Sequence, residues 1–120
     1  MSKRGAKLYI EDVKDSIQKI EDYTKGLNFG TFAKDAKTID AVVRNLSIIG
    51  EAVKNFPNEL KVEYPQIPWK EIAGIRNKAI HGYFGIDEDI LWKTIKEDLP
   101  PFKKQISEML KKYIRDSDWR

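Results

Sequence analysis

Arg76, Asn77, Lys78, His81 and Tyr83 crowd a guanidinium, an amide, an ammonium, an imidazole and a phenol into the span 76–83. His81 is the only histidine in the chain. An imidazole titrates near neutrality, so it can take up and return a proton during a reaction. A guanidinium suits the charge that develops on a phosphate under attack. Used together, without metal ligands, the two groups suit RNA cleavage with the ribose 2′-hydroxyl as internal nucleophile. The same histidine also fits a structural role, because an imidazolium near a helix C-terminus complements the helix dipole.

Other chemistries find no support. The chain has no cysteine, which removes disulfide scaffolds, thiolate zinc clusters and thiol nucleophiles. One histidine cannot build a multi-histidine metal site within one chain. There is no glycine-rich phosphate loop and no serine set on a nucleophile elbow, and no cofactor is expected. A net charge of +3 with 34% charged and 41% hydrophobic residues is ordinary for a globular protein and compatible with a nucleic-acid partner. No apolar run approaches a membrane span, and Met1-Ser2-Lys3-Arg4 leads into a charged amphipathic segment. We therefore expect no membrane partner, no signal-like leader and a cytoplasmic location.

The elements that must position the cluster read as helices. The expected fold is all-α, a four- to five-helix up-down bundle, in one domain over 1–120 with its core at about 7–115. Residues 1–6 read as a frayed terminus. Ile10, Val13, Ile17, Ile20 and Tyr23 or Thr24 then recur at helical spacing, closed by Gly26 and Asn28. Thr31 is the expected N-cap of the second helical region, whose stripe Ile39, Val42, Leu46, Ile49, Val53 and Phe56 steps 3-4-3-4-3. Val43 and Ile48 widen that stripe. Arg44, Asn45 and Glu51 lie beside it, either as surface polars or as residues facing an interface and supporting the site.

Pro57 ends this helix, and a short turn is expected around Glu59–Val62. Pro68 opens a helix that carries Arg76 and runs toward His81, with Gly74 admitting a close backbone neighbour. Asp87 should cap the next helix. Asp98-Leu99-Pro100-Pro101 marks a break, after which Leu99, Phe102, Ile106, Met109 and Tyr113 step along a final lysine-rich helix. Lys103, Lys104, Lys111 and Lys112 on it read either as an RNA-backbone contact or as a solvated face. The tail from Asp116 reads as loose.

Helical geometry constrains the cluster. At ~100° per residue, Arg76 and Tyr83 fall about 20° apart on one helix, whereas His81 falls about 140° from Arg76. A straight helix does not converge the arginine and the histidine. Either the helix distorts near Gly82, or a second copy completes the site across a two-fold axis.

Arg76-x-x-x-x-His81-x-Tyr83 resembles the signature of HepT-like toxins of the HEPN superfamily. The block Ala41–Ala52 is similar to that family's second helix, Ile67–Asn77 to the lead-in and His81–Asp87 to the exit, and the resemblance runs from about Leu8 to Tyr113. It implies a homodimeric all-α bundle with metal-independent endoribonuclease activity and Arg76 and His81 as the catalytic pair. It implies a substrate among transfer or messenger RNAs, and pairing in a type II/VII-like toxin–antitoxin system with an MNT-type nucleotidyltransferase antitoxin that adenylylates Tyr83. Asn77, Lys78, Arg44, Asn45 and Glu51 are the candidate supporting or RNA-binding residues. The alternative is a non-catalytic HEPN binding module that docks a nucleotidyltransferase; a plain helical adaptor with His81 at a helix end is a further one.

Overall fold

The computed structural model describes the backbone of residues 3–80 and 85–117 and the side chains of 5–80 and 85–113. The expected roles of His81 and Tyr83 therefore fall outside the described residues. Among those described, the structure is all-α, with one isolated antiparallel bridge between Ile80 and Ile86.

Three long helical runs build the bundle. The first is α1 (Lys3–Thr24) and the second is α3 (Ala36–Lys54). The third runs from α6 (Glu88–Lys93) through a π-helical turn (Thr94–Asp98) into α7 (Leu99–Ser117). Short helices α2 (Phe29–Ala33), α4 (Asn58–Glu63) and α5 (Trp69–Ala73) join them. α1 packs on α3 and α7, and α3 packs on α5.

The apolar periodicity accounts for this packing. Every member of the Ile39–Phe56 stripe is buried, as are Ile10, Val13, Ile17 and Ile20 from α1 and Leu99, Phe102, Ile106 and Met109 from α7. These side chains form one hydrophobic cluster, so the amphipathic faces of all three runs meet in a shared core. At the end of α1 it is Thr24, not Tyr23, that turns inward; its hydroxyl donates to the Ile20 carbonyl at 2.8 Å, and Tyr23 stays exposed. Gly26 supplies the left-handed turn that follows, with φ of +80°. Two ion pairs tie α7 to its neighbours, Lys103 to Glu21 of α1 and Lys112 to Glu63 of α4. Those two lysines are thus engaged within the bundle.

Several expectations are corrected. Helix α1 starts at Lys3, and Ala6 is buried, so the first turn belongs to the bundle. The second helical region is two helices, and Thr31 is not its cap. Asn28 caps α2, accepting from the Thr31 amide while its own N–H donates to the Thr31 hydroxyl, a reciprocal capping box. Helix α7 extends to Ser117, past the expected loose start at Asp116.

The expected break at Asp98–Pro101 is instead the π-turn. Pro100 and Pro101 have no N–H, so the Lys96 carbonyl lacks a helical donor at both the fourth and fifth following residues. The Leu99 N–H reaches back to Thr94, and widening the turn carries the helix into the proline pair without ending it.

Asp35 caps α3 through two bonds from Thr38, the hydroxyl at 2.7 Å and the backbone N–H at 3.0 Å. The hydroxyl, then the amide, then the nearby Lys37 charge hold the Asp35 carboxyl below its ordinary pKa. A carboxyl with a lowered folded pKa contributes its full stability above the ordinary carboxylate range and loses it as pH falls through the lowered value. We expect Asp35→Ala to lower Tm near neutral pH, with the difference from the parent shrinking on acidification to about pH 2. Thermal unfolding across that range tests this; a difference independent of pH would refute the ionised cap.

Candidate functional site

Arg76 stands three residues beyond the end of α5, so the site begins with what holds this short helix. Five residues of helix are marginal on their own. Trp69 anchors the start: its indole N–H donates to the carbonyls of Lys61 and Tyr64 at 3.1 and 3.0 Å, and its ring meets Phe56 edge-on at 5.6 Å. Ile72 and Ile75 are buried beneath.

The end of α5 is held by α3. A Cβ placed on Gly50 would lie 2.7 Å from the Ala73 carbonyl oxygen, closer than a methyl group tolerates. The close approach expected at Gly74 is therefore found at Gly50, since a Cβ at Gly74 meets nothing nearer than 3.7 Å among the described residues. Glycine inside a helix costs about 1 kcal/mol relative to alanine; at Gly50 that cost admits the backbone of α5.

Beyond Ala73 the chain does not continue as α-helix, which corrects the expected helix through Arg76. The N–H groups of Ile75, Asn77 and Ala79 each bond the carbonyl three residues back, at 3.1, 2.9 and 3.2 Å. This tighter winding replaces the 100° step over the described part of the cluster, from Arg76 to Ala79. The Asp87 N–H then bonds the Ala79 carbonyl at 2.8 Å, and the Asp87 carboxylate caps α6 by accepting from the Ile90 amide, as expected. Together with the Ile80–Ile86 bridge, this clamps the two flanks of the stretch that contains His81 and Tyr83.

The winding brings Arg76 and Asn77 against the outer face of α3. They share a hollow of about 170 Å³ with Glu51, Lys54, Ser47 and Gly50. Arg76 is exposed and makes no ion pair with any described residue, while Glu51 pairs with Lys54 at 3.5 Å. Ser47 and Glu51 also line a second, wider groove on the α1 side, with Arg44, Ile48, Tyr9 and Asp12. The exposed ridge of α3 thus joins Arg44 to the Arg76 hollow. A free guanidinium beside an amide can receive a phosphate, with Arg44 placed to extend the contact along a backbone. Among the described residues no group of three or more carboxylate, histidine or cysteine side chains gathers as a metal site.

Two candidates lie elsewhere. Lys78 lines a separate groove on the α7 side of the same turns. Asn45 is 4% exposed and faces the interior; its Nδ2 donates to the Ala41 carbonyl at 2.9 Å, and its Oδ1 meets no donor among the described residues. Leaving a buried acceptor unmet costs about 1–3 kcal/mol. Asn45 thus acts inside the bundle and does not reach a ligand at the surface. Ser47 and Lys54 were not anticipated, and helical spacing from Glu51 was the available signal. Gly50 was visible as a glycine within a strongly periodic helix, a pattern with a packing reason behind it.

The bundle is of the HEPN type, and the chain belongs to the ribonuclease HepT-like family, which matches it over residues 13–109. It is 49% identical over 109 residues, 91% of this chain and 99% of the relative, to "Probable ribonuclease HepT" of Thermococcus cleftensis. A protein of Caldanaerobacter subterraneus subsp. tengcongensis named "Putative RNase" is 44% identical, with 87% of this chain and 93% of the relative covered. Another of that name, from Methanocaldococcus jannaschii, is 41% identical with 92% of each covered. No solved structure matches the chain. No helix among the described residues is long and apolar enough to cross a membrane.

Gly50→Ala gains about 1 kcal/mol of helix propensity and sets a methyl against the Ala73 carbonyl, an overpacking that costs about 1–3 kcal/mol. We expect a lower Tm and shifted backbone amide resonances from Ala73 to Asn77. An unchanged or higher Tm would mean that α5 moves aside freely and does not depend on Gly50.

Proposed function

We propose that this chain is a metal-independent endoribonuclease toxin that acts as a homodimer. The observation that carries the reading is membership in the ribonuclease HepT-like family over a stretch that includes all of Arg76-x-x-x-x-His81-x-Tyr83. The exposed guanidinium of Arg76 beside Asn77, which makes no ion pair with any described residue, supports it.

In the proposed reaction a ribose 2′-oxygen attacks the adjacent phosphorus. The new oxygen–phosphorus bond forms as the bond to the leaving 5′-oxygen breaks, giving a 2′,3′-cyclic phosphate and a 5′-hydroxyl. His81 serves as the base that takes the 2′-hydroxyl proton or as the acid that protonates the leaving oxygen. Arg76 holds the phosphate and neutralises the charge on its non-bridging oxygens. Asn77 and Arg44 contact the backbone, and Glu51 orients the surrounding cations. The substrate is a transfer or messenger RNA.

The toxin is neutralised by a nucleotidyltransferase antitoxin of the MNT type, paired with it in a type II/VII-like system. The Tyr83 oxygen attacks the α-phosphorus of ATP, pyrophosphate leaves, and the AMP left on the phenol sets a bulky anion where RNA must bind. This part of the proposal rests on the motif position of Tyr83.

RNA cleavage in EDTA with a 2′,3′-cyclic phosphate product is the expected outcome, and His81→Ala should slow it by about 10²–10⁴-fold. Arg76→Ala should slow it by about 10²–10³-fold. Parent-like cleavage by His81→Ala would sink the assignment, and harmless expression of the folded chain without a partner would favour a binding module. For the control step, intact-mass and peptide analysis after co-expression with the adjacent nucleotidyltransferase should find AMP on Tyr83. A silenced toxin with unmodified Tyr83 would reject it.

A further inference from the structure

We propose that the groove between α5, the turns after it and the start of α7 is a docking site for a basic, apolar-anchored segment of a protein partner. The groove encloses about 360 Å³, within the range of small ligand pockets, about 300–1,000 Å³. Its floor is apolar, formed by Ile72 and Ile75 from one side and Phe102 from the other. Its rim is acidic. Glu71 stands on one wall and Glu97 and Asp98 on the other, with Lys78 as the only cation among the described lining residues.

The charge decides the occupant. The whole chain carries +3, yet three carboxylates and one ammonium meet around this floor. Glu71 and Asp98 make no ion pair with any described residue, and Glu97 reaches only the exposed Lys93, at 3.9 Å. An RNA backbone is repelled here. A leucine or aromatic side chain covers the floor, and a flanking arginine or lysine meets the carboxylates, so complementary potential selects the partner. The π-turn sets Glu97 and Asp98 at this position, and such turns recur at functional sites.

The groove lies on the opposite side of the turns from the Arg76 hollow, because Ile75 and Lys78 line one while Arg76 and Asn77 line the other. The proposal does not depend on RNA cleavage by this chain, and its test reads binding alone. The ¹⁵N-labelled full chain is titrated with acetyl-Leu-Arg-Trp-Arg-Leu-amide, with the same peptide carrying glutamate for arginine, and with a short single-stranded RNA. Saturable amide shifts at Glu71, Ile75, Lys78, Asp98 and Gln105 are expected with the arginine peptide alone. The paired substitution Glu71→Gln and Asp98→Asn, both at exposed positions, should weaken that binding by about tenfold with Tm unchanged. Absence of saturation, shifts scattered over the surface, equal response to the glutamate peptide or the RNA, or indifference to the paired substitution would each overturn the proposal.

Discussion

The contact between Gly50 and the Ala73 carbonyl is the constraint on which the candidate site depends. A side chain at that point of α3 would stand between the two helices and hold α5 away. Without one, a helix too short to be stable alone is pressed against a long one, fastened at its other end by the Trp69 indole. Arg76 follows three residues later, so its long and flexible side chain leaves from a firmly held backbone. The backbone share of the cost of ordering any contact Arg76 makes is thereby met in folding, whereas its side-chain rotamers are still free to be lost at binding.

The tight winding after α5 has an electrostatic consequence. Four consecutive residues divide between two neighbours: Arg76 and Asn77 turn to α3, whereas Ile75 and Lys78 turn to α7. The first direction presents Arg76, Asn77 and Lys54 beside the single carboxylate of Glu51, with Arg44 on the continuing ridge; the second presents three carboxylates and Lys78 over an apolar floor. A net charge of +3 describes neither. What a partner meets is the local potential, and two sides of one short turn offer opposite signs.

Much of the fold was legible in the chain. The Ile39–Phe56 stripe and the Leu99–Met109 steps face the core because apolar residues at helical spacing have nowhere else to go. Asp87 caps its helix because its carboxylate fits the free amides. The errors came where local rules yield to packing. The helix opened by Pro68 was expected to carry Arg76, and nothing local announces the change after Ala73 to bonds three residues back. Asn45, read as lying beside the stripe, falls on the buried arc of α3, where its amide is expensive. Gly50 and Gly74 look alike in sequence, and only the position of α5 distinguishes them. For the site, residue types and motif spacing were readable, but the placement of Arg76 in one hollow with Glu51 and Lys54 is a tertiary fact.

The π-turn before Pro100 amounts to one extra residue wound into a helix. An ordinary helix must pass an added residue on as about 100° of rotation and about 1.5 Å of length. The wide turn absorbs it locally, so losing one residue there and restoring ordinary winding would leave Leu91 facing the core and the Asp87 amide near Ala79. The same loss from the α-helical winding on either side would turn those residues out of place. A change of chain length is cheapest at this turn.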